Sequence, residues 1–376
     1  MLVGLFSKTQ PLNLHTEGSQ SMKRFGHLYE TIYDMDNLKL AHQNAKKGKG
    51  WYREVKMVDS NPEYYLSQLQ DMLKNKTYRT SNYETFIKRE NGKEREIFKL
   101  PYFPDRICQW ALMLVIEPFL LRNFTDDTYS AIPGKGIHIC LNKLQHAIQT
   151  DVPGTQYCLK IDAKKYYPSI NHEILKSKYR TIFKDNDLLW LLDEVIDSTE
   201  GEKGIPIGNY LSQYSGNFYL SQFDHWIKEE KGIKHYFRYM DDCVILGNSK
   251  EELHQLRNEI NDVFQKQLDL RMKENWQVFP TFKRGIDFVG YRVFLNYTLL
   301  RKSTAKNYKK KMRYIRKKEE SGTQMNHSEW SAVNSYKGWL KYCDSYRLYQ
   351  KYTQPLHRYE RRYYYQHIKN RKDVAA

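Results

Sequence analysis

Three aspartates stand in surroundings that disfavour charge. Asp162 closes the apolar run YCLKI, and Asp241 and Asp242 lie side by side in YMDDCVIL. Adjacent carboxylates beside buried strands repel one another and resist loss of water, so they call for a cation. Magnesium suits them: it is hard, takes oxygen ligands, and is usually held by one or two carboxylates together with substrate phosphates. Two such ions about 3.5–4 Å apart activate a primer hydroxyl and stabilise a leaving pyrophosphate. An Asp-Asp pair in a hairpin turn is more often a solvated turn, so the flanking residues must decide.

Those flanks read as elements able to hold the acids. Tyr157 to Asp162 is a strand candidate, with Asn171 capping the helix that follows. His235 to Leu246 reads as strand, tight turn, strand. Upstream, Tyr83 to Leu100 carries two short strands around Asn91-Gly92, a strong hairpin signal because both turn residues tolerate positive φ. A helix comes next, with Ile107, Trp110, Ala111, Leu114 and Val115 at i, i+3, i+4 spacing. Residues 22–75 read as helices interrupted by the basic loop Lys46–Gly50, and residues 1–21 as a loosely held leader, with Met22 a second candidate start. Two further helices are expected over about 306–320 and 329–350, separated by the loop SGTQMNHSE; Trp339, Tyr342, Cys343 and Tyr346 form an apolar stripe on the second.

Composition narrows the class. The 376 residues carry a net charge of +17, with 40% hydrophobic and 14% aromatic residues, which excludes collagen, coiled coil and low-complexity disorder. No stretch approaches the ~18 consecutive apolar residues of a membrane helix, so no membrane partner is expected. Five scattered cysteines without a CxxC pair argue against zinc and a disulfide framework, and for a reducing cytoplasm. The charge is lopsided: from Arg301 onward 20 Lys and Arg face 6 Asp and Glu, and 11 of the 31 tyrosines lie there. Cations interleaved with aromatic rings suit a nucleic-acid backbone with stacked bases; the plainer alternative is a helical domain with core tyrosines and solvated lysines.

KIDAKKYYPSI (Lys160 to Ile170), followed 79 residues after Asp162 by YMDD, resembles the palm of a reverse transcriptase. The similarity runs from about Phe25 to the C-terminus. It implies an α+β right-hand polymerase fold, with N-terminal helices and fingers over 22–155, palm over 156–295 and a basic, tyrosine-rich helical thumb over 296–376. Asp162, Asp241 and Asp242 become the catalytic and metal-binding carboxylates, serving two Mg2+ ions with Mn2+ as a substitute. Tyr167, five residues after Asp162, takes the place of the aromatic residue under the incoming sugar and implies a preference for deoxynucleotides. Tyr166 would offer its backbone N–H to the triphosphate. Lys88 and Arg95 match the family's triphosphate-gripping pair, with Lys93 able to replace either. The implied partners are an RNA template, the DNA/RNA hybrid and dNTPs, with an accessory protein or a structured non-coding RNA beside them.

GIPIGNYLSQ (Gly204 to Gln213) has Ile207-Gly208 where retroviral and group II intron enzymes commonly have Gln-Gly. It resembles the signature of diversity-generating retroelement enzymes, and SAIPGKGIH and GIDFVGY resemble segments shared with antiphage-defence relatives. Gly204, Gly208 and Ser212 would let template and nucleotide approach closely, with Gln213 a template-side contact. Two departures stand out: Ile132-Pro133 replaces an Arg or Cys, and Asn275 or Trp276 falls where a lysine is expected, leaving Lys273 nearby without an assigned role. The 134 residues after Asp242 are room for the end of a palm and a thumb, and no RNase H carboxylate set or His/Cys endonuclease cluster is visible, so neither a full maturase nor a retroviral enzyme is expected. The reading is an RNA-directed DNA polymerase, bacterial or phage-encoded and cytoplasmic, in mutagenic retrohoming or antiphage defence. The alternatives are untemplated or protein-primed synthesis by the same site, and a catalytically silent RNA-binding scaffold.

Overall fold

A computed structural model describes residues 24–90 and 93–369; the expected leader and the Asn91-Gly92 turn lie outside them. Nine strands are described: β1 (Glu84–Glu90), β2 (Lys93–Lys99), β3 (Tyr157–Ile161), β4 (His235–Tyr239), β5 (Asp242–Gly247), β6 (Gln277–Pro280), β7 (Ile286–Phe288), β8 (Tyr291–Val293) and β9 (Thr298–Leu300). They form a two-stranded sheet β1–β2, a four-stranded sheet in the order β4–β5–β3–β6, and a three-stranded sheet β7–β8–β9. Strands β1 and β2 pair antiparallel, as do β7–β8 and β8–β9. With helices making up most of the remaining chain, the class is α+β, as expected.

The described chain divides into two compact units. One takes the residues up to Gly134 with Lys160–Cys243 and His254–Trp276; the other takes Lys135–Leu159, Val244–Leu253 and the residues from Gln277 on. The first unit is built round the helix Ile107–Leu121. The i, i+3, i+4 pattern suggested one apolar stripe, yet Leu112, Met113 and Ile116 are as buried as Ile107 and Ala111, while Trp110 and Leu114 are half-buried. Such a helix is a core element, covered on several sides, and no single stripe describes it. The helix Met35–Ala45 packs against it, and Asn37 Nδ2 donates to the Ala111 carbonyl at 3.1 Å. Asn171 caps the helix His172–Ile182 as expected, accepting from the Ile174 N–H at 3.2 Å.

In the second unit the helix Lys302–Glu320 buries Tyr308, Met312 and Ile315. A capping box between Asn326 and Glu329 opens the next helix, His327–Leu340. It ends ten residues short of the expected boundary, and a separate helix spans Tyr346–Tyr352. The expected stripe through Trp339, Tyr342, Cys343 and Tyr346 is therefore not one helical face, and Tyr346 is 75% exposed. Tyrosines of the basic tail divide between roles: Tyr308, Tyr359 and Tyr363 are buried, whereas Tyr314 and Tyr365 are exposed beside Lys311 and Arg361.

GIDFVGY owes its second glycine to packing. Gly290 sits at φ +89° between β7 and β8, and a Cβ there would collide with the Trp339 ring, itself stacked on Tyr291 at 5.2 Å. Gly290→Ala is expected to lower the unfolding free energy by about 2–4 kcal/mol, from steric overlap added to backbone strain. Gly48→Ala is the control: it has a similar φ of +70° with open space around it, and should cost only about 1 kcal/mol. Denaturant unfolding of both variants checks the difference.

Candidate active site

Strand β3 delivers Asp162 from its C-terminal end, and the two-residue connection between β4 and β5 delivers Asp241 with Asp242 as the first residue of β5. That connection needs support, because Met240 adopts φ +57°, a left-handed conformation costly for a non-glycine residue. Arg238 supplies the support from a fully buried position. Its Nη1 donates to the Met240 carbonyl at 2.9 Å and to Asn217 Oδ1 at 3.2 Å. Its Nε donates to Asp224 Oδ1 at 2.6 Å, and its Nη2 pairs with Asp224 Oδ2. Tyr236 and Thr128 donate to the same Asp224 carboxylate, at 2.6 and 3.1 Å. Sequence reasoning missed both Arg238 and Asp224. A charged residue inside the apolar run HYFRYM was the available signal, since charges are almost never fully buried unless paired.

The Asp162 and Asp241 carboxylates lie within hydrogen-bonding reach of each other. Burial, that hydrogen bond and the charge of Asp162 push the Asp241 carboxyl up to about 8, against a smaller pull downward from Lys273. Lys273 Nζ pairs with Asp162 Oδ2, and its backbone N–H donates to the Asp162 carbonyl at 2.9 Å. This is the residue left without a role by its sequence position. An antiparallel bridge between Ala163 and Met272 carries it there. Asp242 Oδ1 lies 3.4 Å from Lys160 Nζ.

Among the described residues no three His, Cys, Asp or Glu side chains gather closely enough to hold a metal ion by themselves. The Asp162–Asp241 pair nevertheless fits magnesium, which binds through one or two carboxylates and completes its shell with substrate phosphates and water. An acid kept protonated by its neighbour is one that a divalent cation would release.

Tyr166 and Tyr167 open the short helix Tyr166–Ser169. Tyr166 is buried and its hydroxyl donates to the Gly216 carbonyl at 2.5 Å, so its ring is a core element. Tyr167 is half-buried, with its hydroxyl 3.4 Å from Met240 Sδ; burial and the nearby Asp241 raise its phenol pKa. The Gly204–Gly208 segment docks on this helix: the Ile205 N–H donates to the Tyr167 carbonyl at 3.1 Å. Ile207 and β2 are joined by a 3.3 Å bond from the Phe98 N–H, next to Gly208 at φ +121°. Gln213 is exposed on the helix Tyr210–Tyr219, whereas Ser212 is buried. Lys88 and Arg95 are direct cross-strand partners in the hairpin. Like charges so placed repel, which favours an anion between them. Arg95 is also close enough to act on the Tyr167 phenol.

Residues 87–293 match the family model described as reverse transcriptase (RNA-dependent DNA polymerase). The chain belongs to the reverse transcriptase family. The mixed helix-and-sheet build agrees with the right-hand polymerase fold expected from the sequence. The chain is similar to protein YkfC of Escherichia coli (strain K12), at 23% identity over 250 residues, covering 55% of this chain and 65% of YkfC. It is also similar to the group II intron-encoded protein LtrA of Lactococcus lactis subsp. cremoris, at 23% identity over 219 residues, covering 55% of this chain and 36% of LtrA. The match thus spans less than two-thirds of either relative's own length. Among solved structures, a telomerase from Candida albicans in complex with a fragment of telomeric RNA aligns with a TM-score of 0.47 and 11% identity, over 73% of this chain and 58% of that one. Among the described residues no helix is long and apolar enough to cross a membrane.

Two tests follow from the site's electrostatics. Asp241 keeps its proton in the folded state to about pH 8, whereas an unfolded aspartate loses it near pH 4. The folded state therefore binds the extra proton between those values, and stability falls as pH rises through them. In EDTA, thermal unfolding of Asp241→Asn is expected to decline less than wild type from pH 5 to pH 8.5, a range set about those two pKa values. Arg238→Met leaves Asp224 buried without its cation and is expected to cost about 3–5 kcal/mol in denaturant unfolding.

Proposed function

We propose that this chain is an RNA-directed DNA polymerase making cDNA by nucleotidyl transfer. The observation that carries the reading is the meeting of Asp162 and Asp241, from segments 79 residues apart, inside a region matching the reverse transcriptase family. Asp162 and Asp241 would hold magnesium, with Asp242 completing the acidic cluster beside Lys160. Magnesium, when bound, lowers the pKa of the primer hydroxyl and neutralises charge on the departing pyrophosphate. The primer 3′ oxygen then bonds to the α-phosphorus of the incoming nucleotide, the bond to the β-phosphate bridging oxygen breaks, and the hydroxyl proton leaves to solvent. Lys88 and Arg95 bind the triphosphate, Arg as a planar fork and Lys as a mobile charge. Tyr167 lies beneath the sugar and rejects a 2′-hydroxyl, with the Tyr166 N–H toward the triphosphate. Gly208 and Gln213 border the nucleotide and template. The hairpin belongs to the fingers, the four-stranded sheet to the palm and the basic helices from residue 296 to the thumb.

The template is a dedicated non-coding or template-repeat RNA. IGNYLSQ supports a retroelement that diversifies sequence, while the SAIPGKGIH and GIDFVGY segments are compatible with antiphage defence. A primed RNA template with all four dNTPs and Mg2+ tests the activity. Wild type is expected to extend the primer, Asp241→Asn to lose at least about a thousandfold in rate, an electrostatic loss of about 4 kcal/mol, and Tyr167→Val to admit ribonucleotides. Extension by Asp241→Asn at the wild-type rate would remove the metal assignment. Extension independent of template sequence would replace templated copying by untemplated synthesis.

A further inference from the structure

Residues 204–208 form a strap between two parts of the site. Near its start the Ile205 N–H donates to the Tyr167 carbonyl, and near its end the Ile207 carbonyl accepts from the Phe98 N–H of β2. One segment therefore touches both the helix that opens with Tyr166 and Tyr167 and the hairpin that pairs Lys88 with Arg95. A Cβ on Gly204 would stand 3.5 Å from the Pro168 carbonyl oxygen, so the strap lies directly on that helix. The Tyr167 hydroxyl has a weak acceptor, Met240 Sδ at 3.4 Å, and the placing of its ring falls largely to the backbone.

What holds the strap lies behind it. A short antiparallel ladder comes first: the His172 N–H donates to the Glu202 carbonyl at 3.0 Å and the Gly204 N–H to the Ile170 carbonyl at 2.8 Å, with Asn171 opposite Lys203. The Gly204 carbonyl then accepts twice, from His172 Nε2 and from Thr199 Oγ1, both at 2.7 Å. Those two bonds use both lone pairs of the oxygen. His172 is 3% exposed, and its other ring nitrogen, Nδ1, lies 3.3 Å from Asp197 Oδ1. Asp197 is itself held, its second oxygen 2.6 Å from Lys176 Nζ. Folding alone asks less of this position. An apolar ring would fill a buried place at the start of the helix His172–Ile182, whereas an imidazole set between a carboxylate and a carbonyl fixes a direction. The next peptide along the strap is the one bonded to Tyr167.

We propose that His172 and Thr199 are positioning residues for sugar selection. By anchoring Gly204 they set the strap, and through the Ile205 bond they hold Tyr167 where its ring rejects a 2′-hydroxyl. The proposal rests on the polymerase reading, in which Tyr167 meets the sugar.

The test is single-nucleotide extension by the full chain with a dNTP or the matching rNTP, which gives the ratio of their kcat/KM values. His172→Phe keeps a ring and removes the donor; Thr199→Val keeps the shape and removes the hydroxyl. Each is expected to lower the ratio of dNTP over rNTP about tenfold, as the loss of one hydrogen bond would. His172→Gln, which returns an N–H at similar reach, is expected to restore it. A merely structural role would slow both nucleotides alike and leave the ratio unmoved. Because His172 acts through Tyr167, adding His172→Phe to Tyr167→Val is expected to change the ratio by less than about twofold. Thr199 is half-buried in a loop, so its variant keeps the test valid should His172→Phe misfold. Wild-type ratios in both single variants, or a further fall of about tenfold in the double variant, overturn the proposal. Hydrogen exchange on the same preparations separates the two readings. In His172→Phe the Gly204 and Ile205 amides are expected to exchange about tenfold faster. A wild type that extends no primer sinks the polymerase alone; faster exchange then upholds the anchor, and wild-type exchange sinks the anchor as well.

Discussion

The buried pair of Arg238 and Asp224 is the interaction on which the site's geometry depends. Neither side chain has any solvent exposure, and two ions taken from water are stabilising only when nearly every donor and acceptor is met. Here they are. Asp224 accepts from Arg238, Tyr236 and Thr128, and the guanidinium spends its other donors on Asn217 and the Met240 carbonyl. The last bond holds the turn that carries Asp241. The backbone joins in, with the Arg238 N–H donating to the Asp127 carbonyl and the Tyr129 N–H to the Arg238 carbonyl, at 2.9 and 3.0 Å. A hydrophobic core alone would pack β4 and β5 but could not keep a methionine at positive φ in the turn between them.

Around this fixed turn, charge of each sign is gathered against its own repulsion. Asp162 and Asp241 crowd one another on the strand ends, while Lys88 faces Arg95 on the hairpin. Neither arrangement serves folding, because like charges in register weaken a sheet and adjacent buried acids force a proton onto one of them. Under the proposed function, a nucleoside triphosphate with its metal would relieve both at once, supplying cations to the acids and anionic oxygens to the hairpin. The fold tolerates these local conflicts because burial elsewhere is extensive, and proteins depart from local consistency chiefly where they bind or react.

What the sequence made legible was local. Period-two alternation around Asn-Gly predicted the hairpin, and its pairing of Lys88 with Arg95 follows from strand register alone. The caps at Asn171 and the strands flanking YMDD were equally readable, because each depends on a few neighbouring residues. The helix proposed over 329–350 was misjudged since tyrosines and tryptophans recur through the break at Lys341–Ser345, where the chain turns without glycine or proline to mark it. Arg238 and Asp224 could not be paired from sequence, being 14 residues apart on a strand and a helix whose packing no local pattern encodes.

Lys273 shows how position and role separate. The family pattern placed a lysine at Asn275 or Trp276, yet Trp276 is occupied elsewhere, with the Arg257 guanidinium 4.0 Å above its ring and His254 against it at 5.7 Å. What two crowded acids require is a cation at the strand end beside Asp162, whichever residue number carries it. The pairing of Ala163 with Met272, reinforced by the Lys164 N–H bond to the Arg271 carbonyl at 2.8 Å, places residue 273 next to Asp162 by backbone register. The ammonium there pairs with Asp162 and pulls the Asp241 carboxyl downward, against the larger upward push of burial and of Asp162 itself. The lysine beside Asp162 is therefore set by strand pairing and not by the spacing of the motif.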